Sequence, residues 1–191
     1  MTLANLLHPD VLKSIKHKTI ILDANVFMEG YGQSSSAFSF LLEELAAAGC
    51  ALTTIDAVRL EFFSKNRSRK ELQDKIRFYD DTISNPALVI HTFEKEMQEL
   101  PLLFAFGIQA QGFKTVDFMI TAAMKKYATN VLLLTNDHSD FTPRLFDLVA
   151  LLPLASGQGK VIPFGLYKFS EEKYASLLSA SLQEGTRSDK K

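Results

Sequence analysis

The stretch Thr19-Ile20-Ile21-Leu22-Asp23-Ala24-Asn25-Val26-Phe27 decides the fold. Its first four residues are apolar or β-branched and do not alternate with polar ones. That is the pattern of a short strand buried on both faces. Such a strand needs cover on each side, which helical crossovers between parallel strands provide. The run stops at Asp23. A carboxylate there stands at the carboxyl end of the strand, where open parallel sheets bind ligands.

Working outward, Ala51-Leu52-Thr53-Thr54-Ile55, Ala87 to His91 and Val131 to Thr135 read as further strands. Helices are expected between them. Ala37 to Ala48 places Phe38, Leu41, Leu42 and Leu45 on one face and stops at Gly49. Asp56 is placed to cap a helix running through Phe63. Ser68 to Asp81 carries Leu72, Ile76 and Tyr79 at apolar spacing, and Thr115 heads a helix reaching Tyr127. Phe93 to Gln109 reads as helical with a break or kink at Pro101. Gly30 to Ser36 reads as a loop, and Thr2 to Lys18 as two short helices parted at Pro9. Two later apolar runs, Leu145 to Leu154 and Val161 to Phe169, flank the turn Ser156-Gly157-Gln158-Gly159. A terminal helix is expected from Glu171 to Gln183. The alternation predicts a three-layer α/β/α fold with a mainly parallel central sheet. It forms a single domain over residues 1–184, with an N-terminal helical lead-in and a C-terminal extension, followed by a disordered tail at 185–191.

Composition narrows the function classes. At 191 residues the chain can bury a full core. A formal net charge of −1 supplies no global basic field, so any nucleic-acid contact must be local. The single Cys50 permits no internal disulfide, and lying between Gly49 and Ala51 it reads as a small buried hydrophobe. A reducing cytoplasm is the expected compartment. No stretch approaches the roughly 20 apolar residues of a membrane span, so no membrane partner is expected.

Four acids stand where this topology would gather them. Asp23 and Asp137 follow strands, Glu61 lies on the helix after the second strand, and Asp117 opens a later helix. Each has an ordinary explanation as a turn former, a solvated helical acid, or a complement to the helix dipole. Together they would repel one another unless a positive charge sat between them. Oxygen donors without soft ligands suit a hard divalent cation, Mg²⁺ or Mn²⁺.

The surrounding residues sharpen this. Ile21-Leu22-Asp23-Ala24-Asn25-Val26-Phe27, Ala57-Val58-Arg59-Leu60-Glu61-Phe62-Phe63, Thr115-Val116-Asp117-Phe118-Met119-Ile120-Thr121-Ala122-Ala123 and Leu134-Thr135-Asn136-Asp137-His138-Ser139-Asp140-Phe141 occur in this order. In that order they resemble the PIN domain (PilT N-terminus) nuclease family, across roughly Thr19 to Leu154. The resemblance implies a metal-dependent ribonuclease, an endoribonuclease hydrolysing phosphodiesters with two Mg²⁺ or Mn²⁺ ions. It implies Asp23, Glu61, Asp117 and Asp137 as catalytic metal-binding acids, with Asp140 competing with Asp137 for the last role. Asp23 and Asp117 would ligate directly, while Glu61 and Asp137 would orient waters or bind the second ion. Thr135 and Asn136 would hold Asp137, and Asn25 would hold the loop after Asp23. An RNA substrate follows from the family. A homodimer, an antitoxin or another protein partner is left open, and the region Lys160 to Lys191 extends past the compact core of small toxin-like members.

Lys65, Arg67, Arg69 and Lys70 follow Glu61 and read either as a solvated helix start or as phosphate contacts. His138 and His91 read as a loop histidine and a strand-end structural residue. Lys125 and Lys126 complement a helix C-terminus, and Phe62, Phe63 and Phe118 read as core. Two rival functions are carried. One is a catalytically inactive PIN-like module that binds RNA or protein. The other is an Mg²⁺-dependent phosphatase, which commonly needs a second Asp close after the first, where Ala24-Asn25 stand.

Overall fold

The computed structural model of the chain describes residues 9–32, 36–64, 66–83, 85–88, 90–106, 115–155 and 160–188. In chain order these form α1 (Pro9–Ile15), β1 (Thr19–Leu22), α2 (Ala24–Gly32), α3 (Ser36–Ala47) and β2 (Ala51–Thr53). Next come α4 (Asp56–Ser64), α5 (Arg69–Thr82), a 3₁₀ turn at Ile90–Phe93, α6 (Glu94–Phe106) and α7 (Thr115–Lys126). The chain closes with β3 (Val131–Thr135), β4 (Phe146–Ala155), β5 (Val161–Phe169) and α8 (Glu171–Ser188).

The strands form one five-stranded mixed sheet in the order β2-β1-β3-β5-β4. β1 pairs parallel with both β2 and β3, and the register Leu22↔Leu134 makes β1 and β3 end almost level. Every residue of β3 is buried, as are the last three of β1, so both faces of this centre are covered. The other half departs from the mainly parallel expectation. β5 runs antiparallel to β3, and β4 antiparallel to β5. The two late apolar runs are therefore a hairpin built onto β3, because a short turn can return a chain only antiparallel. The region after Lys160 is thus no appendage: β5 lies inside the sheet and buries Phe164, Leu166, Tyr167 and Phe169.

Other expectations also change. Of the strand expected over Ala87 to His91, of which Val89 lies outside the described residues, the described part shows the parallel bridge Ile55↔Leu88 and then the 3₁₀ turn. Pro86 has no N–H to extend that ladder backwards, and its carbonyl instead accepts from Thr53 Oγ1 at 2.9 Å. The expected Gly30 loop is helical through Gly32. α6 passes through Pro101 as a single helix. α8 continues to Ser188, past Gly185 where the tail is expected to begin.

α5 also turns a different face inward. Lys75 and Tyr79 are buried, whereas Ile76 is 39% exposed. The aromatic cluster beneath explains the rotation. Lys75 Nζ lies 5.2 Å and 5.7 Å from the ring centroids of Phe62 and Tyr31, and 3.3 Å from the Phe62 carbonyl it donates to. Its aliphatic stem serves as core while its ammonium finds ring faces and a carbonyl. Lys125 and Lys126, in the last turn of α7, pair with Glu99 and Glu96 of α6. Cys50 is buried and donates to the Ile15 carbonyl, and burial pushes its thiol pKa up. Among the described residues no helix is long and apolar enough to cross a membrane.

Candidate metal centre

Strand pairing builds the site. The Asp23 N–H donates to the Leu134 carbonyl at 3.2 Å, continuing the β1–β3 ladder one residue past Leu22. Asp23 and Thr135 therefore meet at the carboxyl ends of neighbouring parallel strands. Asp23 is 5% exposed and its carboxylate accepts three hydrogen bonds. Oδ1 takes the Ala24 N–H at 2.6 Å, and Oδ2 takes Asn25 Nδ2 at 2.6 Å and Thr135 Oγ1 at 2.7 Å.

Thr135 is the hub. Its hydroxyl donates to Asp23 and accepts from Asn25 Nδ2 at 2.8 Å and from the Asp137 N–H at 3.0 Å. One donor and two acceptor positions are all a hydroxyl has. Asn25 is equally committed, since its Oδ1 accepts the Asn136 N–H at 3.2 Å. That fixes which end of its amide faces Asp23. From their place in the sequence, Thr135 and Asn136 are expected to hold Asp137. In the structure the Thr135 side chain serves Asp23 and holds Asp137 through its backbone. Asn136 contributes its backbone N–H to Asn25.

The other acids approach from packed elements. Glu61 lies half-buried on α4, which packs against both α2 and α7. Asp117 is 6% exposed in the first turn of α7, where its carbonyl accepts from Thr121 Oγ1. Asp137 Oδ1 accepts from Ser139 Oγ at 2.7 Å, and the same hydroxyl lies 3.5 Å from Asp140 Oδ1. Asp140 is buried, whereas Asp137 is half-buried. Burial, first of all, raises the Asp23 pKa above the ordinary carboxylate value. The Thr135 and Ala24 hydrogen bonds oppose that rise, and the negative charges of Glu61 and Asp137 add to it.

Glu61 and Asp137 are thus brought within electrostatic reach of Asp23. Among the described residues, no three His, Cys, Asp or Glu side chains converge closely enough to hold an ion. The donor set nonetheless fits a hard cation: it is all oxygen, and a carboxylate has about four lone-pair positions. Asp23 spends three on its protein donors, which leaves one direction on Oδ1 for a further bond.

The basic stretch lies at the start of α5. Lys65 falls outside the described residues, and Arg67, Arg69 and Lys70 are exposed. Ser68 caps this helix by accepting the Glu71 N–H at 3.1 Å, while Glu71 accepts the Arg67 N–H at 2.7 Å.

Two further residues belong beside the site. His138, which reads from sequence as a loop histidine, bonds the Tyr167 hydroxyl through Nδ1 and the Pro163 carbonyl through Nε2 at 3.0 Å. Adjacency to Asp137 was the only signal for His138, and Tyr167 had none. Burial, then the Asp137 charge, raises the Tyr167 pKa and keeps its phenol protonated. No protein-family model, curated protein or solved structure matches this chain.

Proposed function

We propose that this chain is a metal-dependent nuclease with a PIN-like, three-layer α/β/α organisation, acting on RNA phosphodiesters. The observation that carries the reading is the closed Asp23–Asn25–Thr135–Asp137 network across the ends of β1 and β3. It commits the side chains of Asn25 and Thr135 to orienting one buried acid, and charge from two others bears on that acid.

Asp23 and Asp117 would hold the cation directly, and Glu61 and Asp137 would orient its waters or hold a second ion. Mg²⁺ or Mn²⁺, when bound, supplies neutralisation of the phosphate and a more acidic water. The chain's own contribution is orientation. Three donors fix the Asp23 rotamer, and Thr135 ties the Asp137 backbone to it. Pre-organised ligands avoid a reorganisation cost at the moment of reaction.

The rival reading is an inactive PIN-like module binding RNA or protein. One experiment separates them. Purified protein and Asp23→Asn are incubated with labelled RNA, DNA and a small phosphomonoester, with Mg²⁺ or Mn²⁺ and then with chelator. The nuclease reading expects chelator-sensitive RNA cleavage, reduced at least about 100-fold in the variant, or roughly 2.7 kcal/mol of transition-state stabilisation. Equal cleavage by both proteins removes the site. RNA binding without cleavage selects the second reading.

A further inference from the structure

The turn after β3 is fastened to β5 at one residue. His138 Nε2 lies 3.0 Å from the Pro163 carbonyl, which can only accept, so Nε2 carries a proton. In the neutral ring Nδ1 is then bare and accepts from the Tyr167 hydroxyl. Tyr167 is 5% exposed, and its ring packs 6.1 Å from that of Phe141, the residue that follows the turn.

β5 is shaped for this contact. Pro163, Gly165 and Tyr167 alternate along the strand and so share one face. A Cβ at Gly165 would stand 2.4 Å from Tyr167 Cε2 and 3.1 Å from its hydroxyl oxygen. The phenol lies across Gly165 because no side chain is there. Gly165 is also the register partner of Thr135, the hub of the acidic network. The carbonyl, the gap and the phenol thus converge beside the end of β3.

We propose that His138, Tyr167 and Gly165 form a positioning clamp that holds the 136–140 turn, and with it Asp137 and Asp140, where those carboxylates serve the cation site. This rests on the nuclease reading. The three are positioning residues, which act on the site through the turn. The hairpin that completes the sheet also braces the site.

The test uses full-length protein and Tyr167→Phe, His138→Ala and Gly165→Ala, with Tyr174→Phe as a control hydroxyl deletion. Tyr167→Phe keeps the ring over Gly165, so it isolates the hydrogen bond even if Gly165→Ala folds poorly. Amide hydrogen exchange of residues 136–140 is followed by NMR in chelator, and Mn²⁺ affinity is measured separately. The clamp expects exchange in the turn to quicken at least about 10-fold in the first two variants, with little change elsewhere. It expects Mn²⁺ affinity to weaken about 10–100-fold, the range seen when the partners of metal ligands are removed. Tyr174→Phe should change neither. Unchanged exchange in the turn overturns the clamp. Quicker exchange with wild-type Mn²⁺ affinity overturns its service to the site while leaving the nuclease reading intact. A wild-type protein that binds no Mn²⁺ overturns the nuclease reading and that service together.

Discussion

Asp23 shows how one residue carries opposing demands. Three donors favour its charged form, yet burial and two neighbouring acids outweigh them and raise its pKa. In the unfolded chain the same carboxyl titrates at its ordinary value. Between the two values the folded protein binds the proton more tightly, so protonation favours folding. The stability this adds is complete below the ordinary value and is lost as pH rises through the raised one. In chelator, lowering the pH through the raised Asp23 pKa should therefore stabilise the wild type relative to Asp23→Asn. Asp23→Asn cannot titrate, so its curve should be flatter over that window. Parallel curves for the two proteins, read by calorimetry, would show that the Asp23 carboxyl does not govern stability. Asp23, Asn25, Thr135 and Asp137 were legible in sequence because they punctuate apolar runs. Where the Thr135 hydroxyl points was not, since both carboxylates lie within a residue or two of a strand end. Tyr167 was hidden because its partner His138 is reached only through an antiparallel pairing.

Elements were legible where periodicity alone sets them and misread where packing overrides it. Helix α3 and strands β1 and β3 follow from their apolar patterns. Gly30 does not: a glycine before a Gly/Ser stretch reads as a loop, yet it is buried inside α2. A Cβ there would stand 2.3 Å from Phe38 Cε1 and 2.8 Å from Phe78 Cζ. The glycine is there so that α2 can approach these rings. This sets two effects against each other in Gly30→Ala. Alanine improves helix propensity by about 1 kcal/mol. Overpacking a filled core costs typically 1–3 kcal/mol. Phe38 is 4% exposed and has little room to retreat, so the cost should win. Urea titration should show a lower midpoint with an unchanged slope. A midpoint at or above wild type would mean the Phe38 ring moves aside freely. Lys75 teaches the same lesson on α5: spacing nominated Ile76 for the interior, but the ring cluster of Tyr31, Phe62 and Phe78 took the lysine stem.

At the scale of the whole molecule, the parallel half of the sheet was readable and the hairpin half was not, because apolar runs reveal strands without their direction. Charge distribution raises the remaining functional question. A net charge of −1 and neighbouring carboxylates would repel RNA, so the proposed RNA binding needs a local cationic surface. Arg67, Arg69 and Lys70 stand exposed at the start of α5, next in chain order after the helix that carries Glu61. Arg69 and Lys70 occupy the first turn, where positive charge opposes the helix dipole. Replacing all three residues with Ala should therefore leave stability unchanged or raise it by a few tenths of a kcal/mol. If the three grip phosphates, the same variant should bind RNA more weakly. The slope of log affinity against log salt should fall by about 2, from roughly 0.7 per single-strand phosphate contact. KM should rise more than kcat falls, because such contacts position substrate without touching the reacting centre. Opposite movements of stability and affinity would mark residues kept for a ligand at some cost to the fold. An unchanged affinity and salt slope would return Arg67, Arg69 and Lys70 to an ordinary solvated helix start.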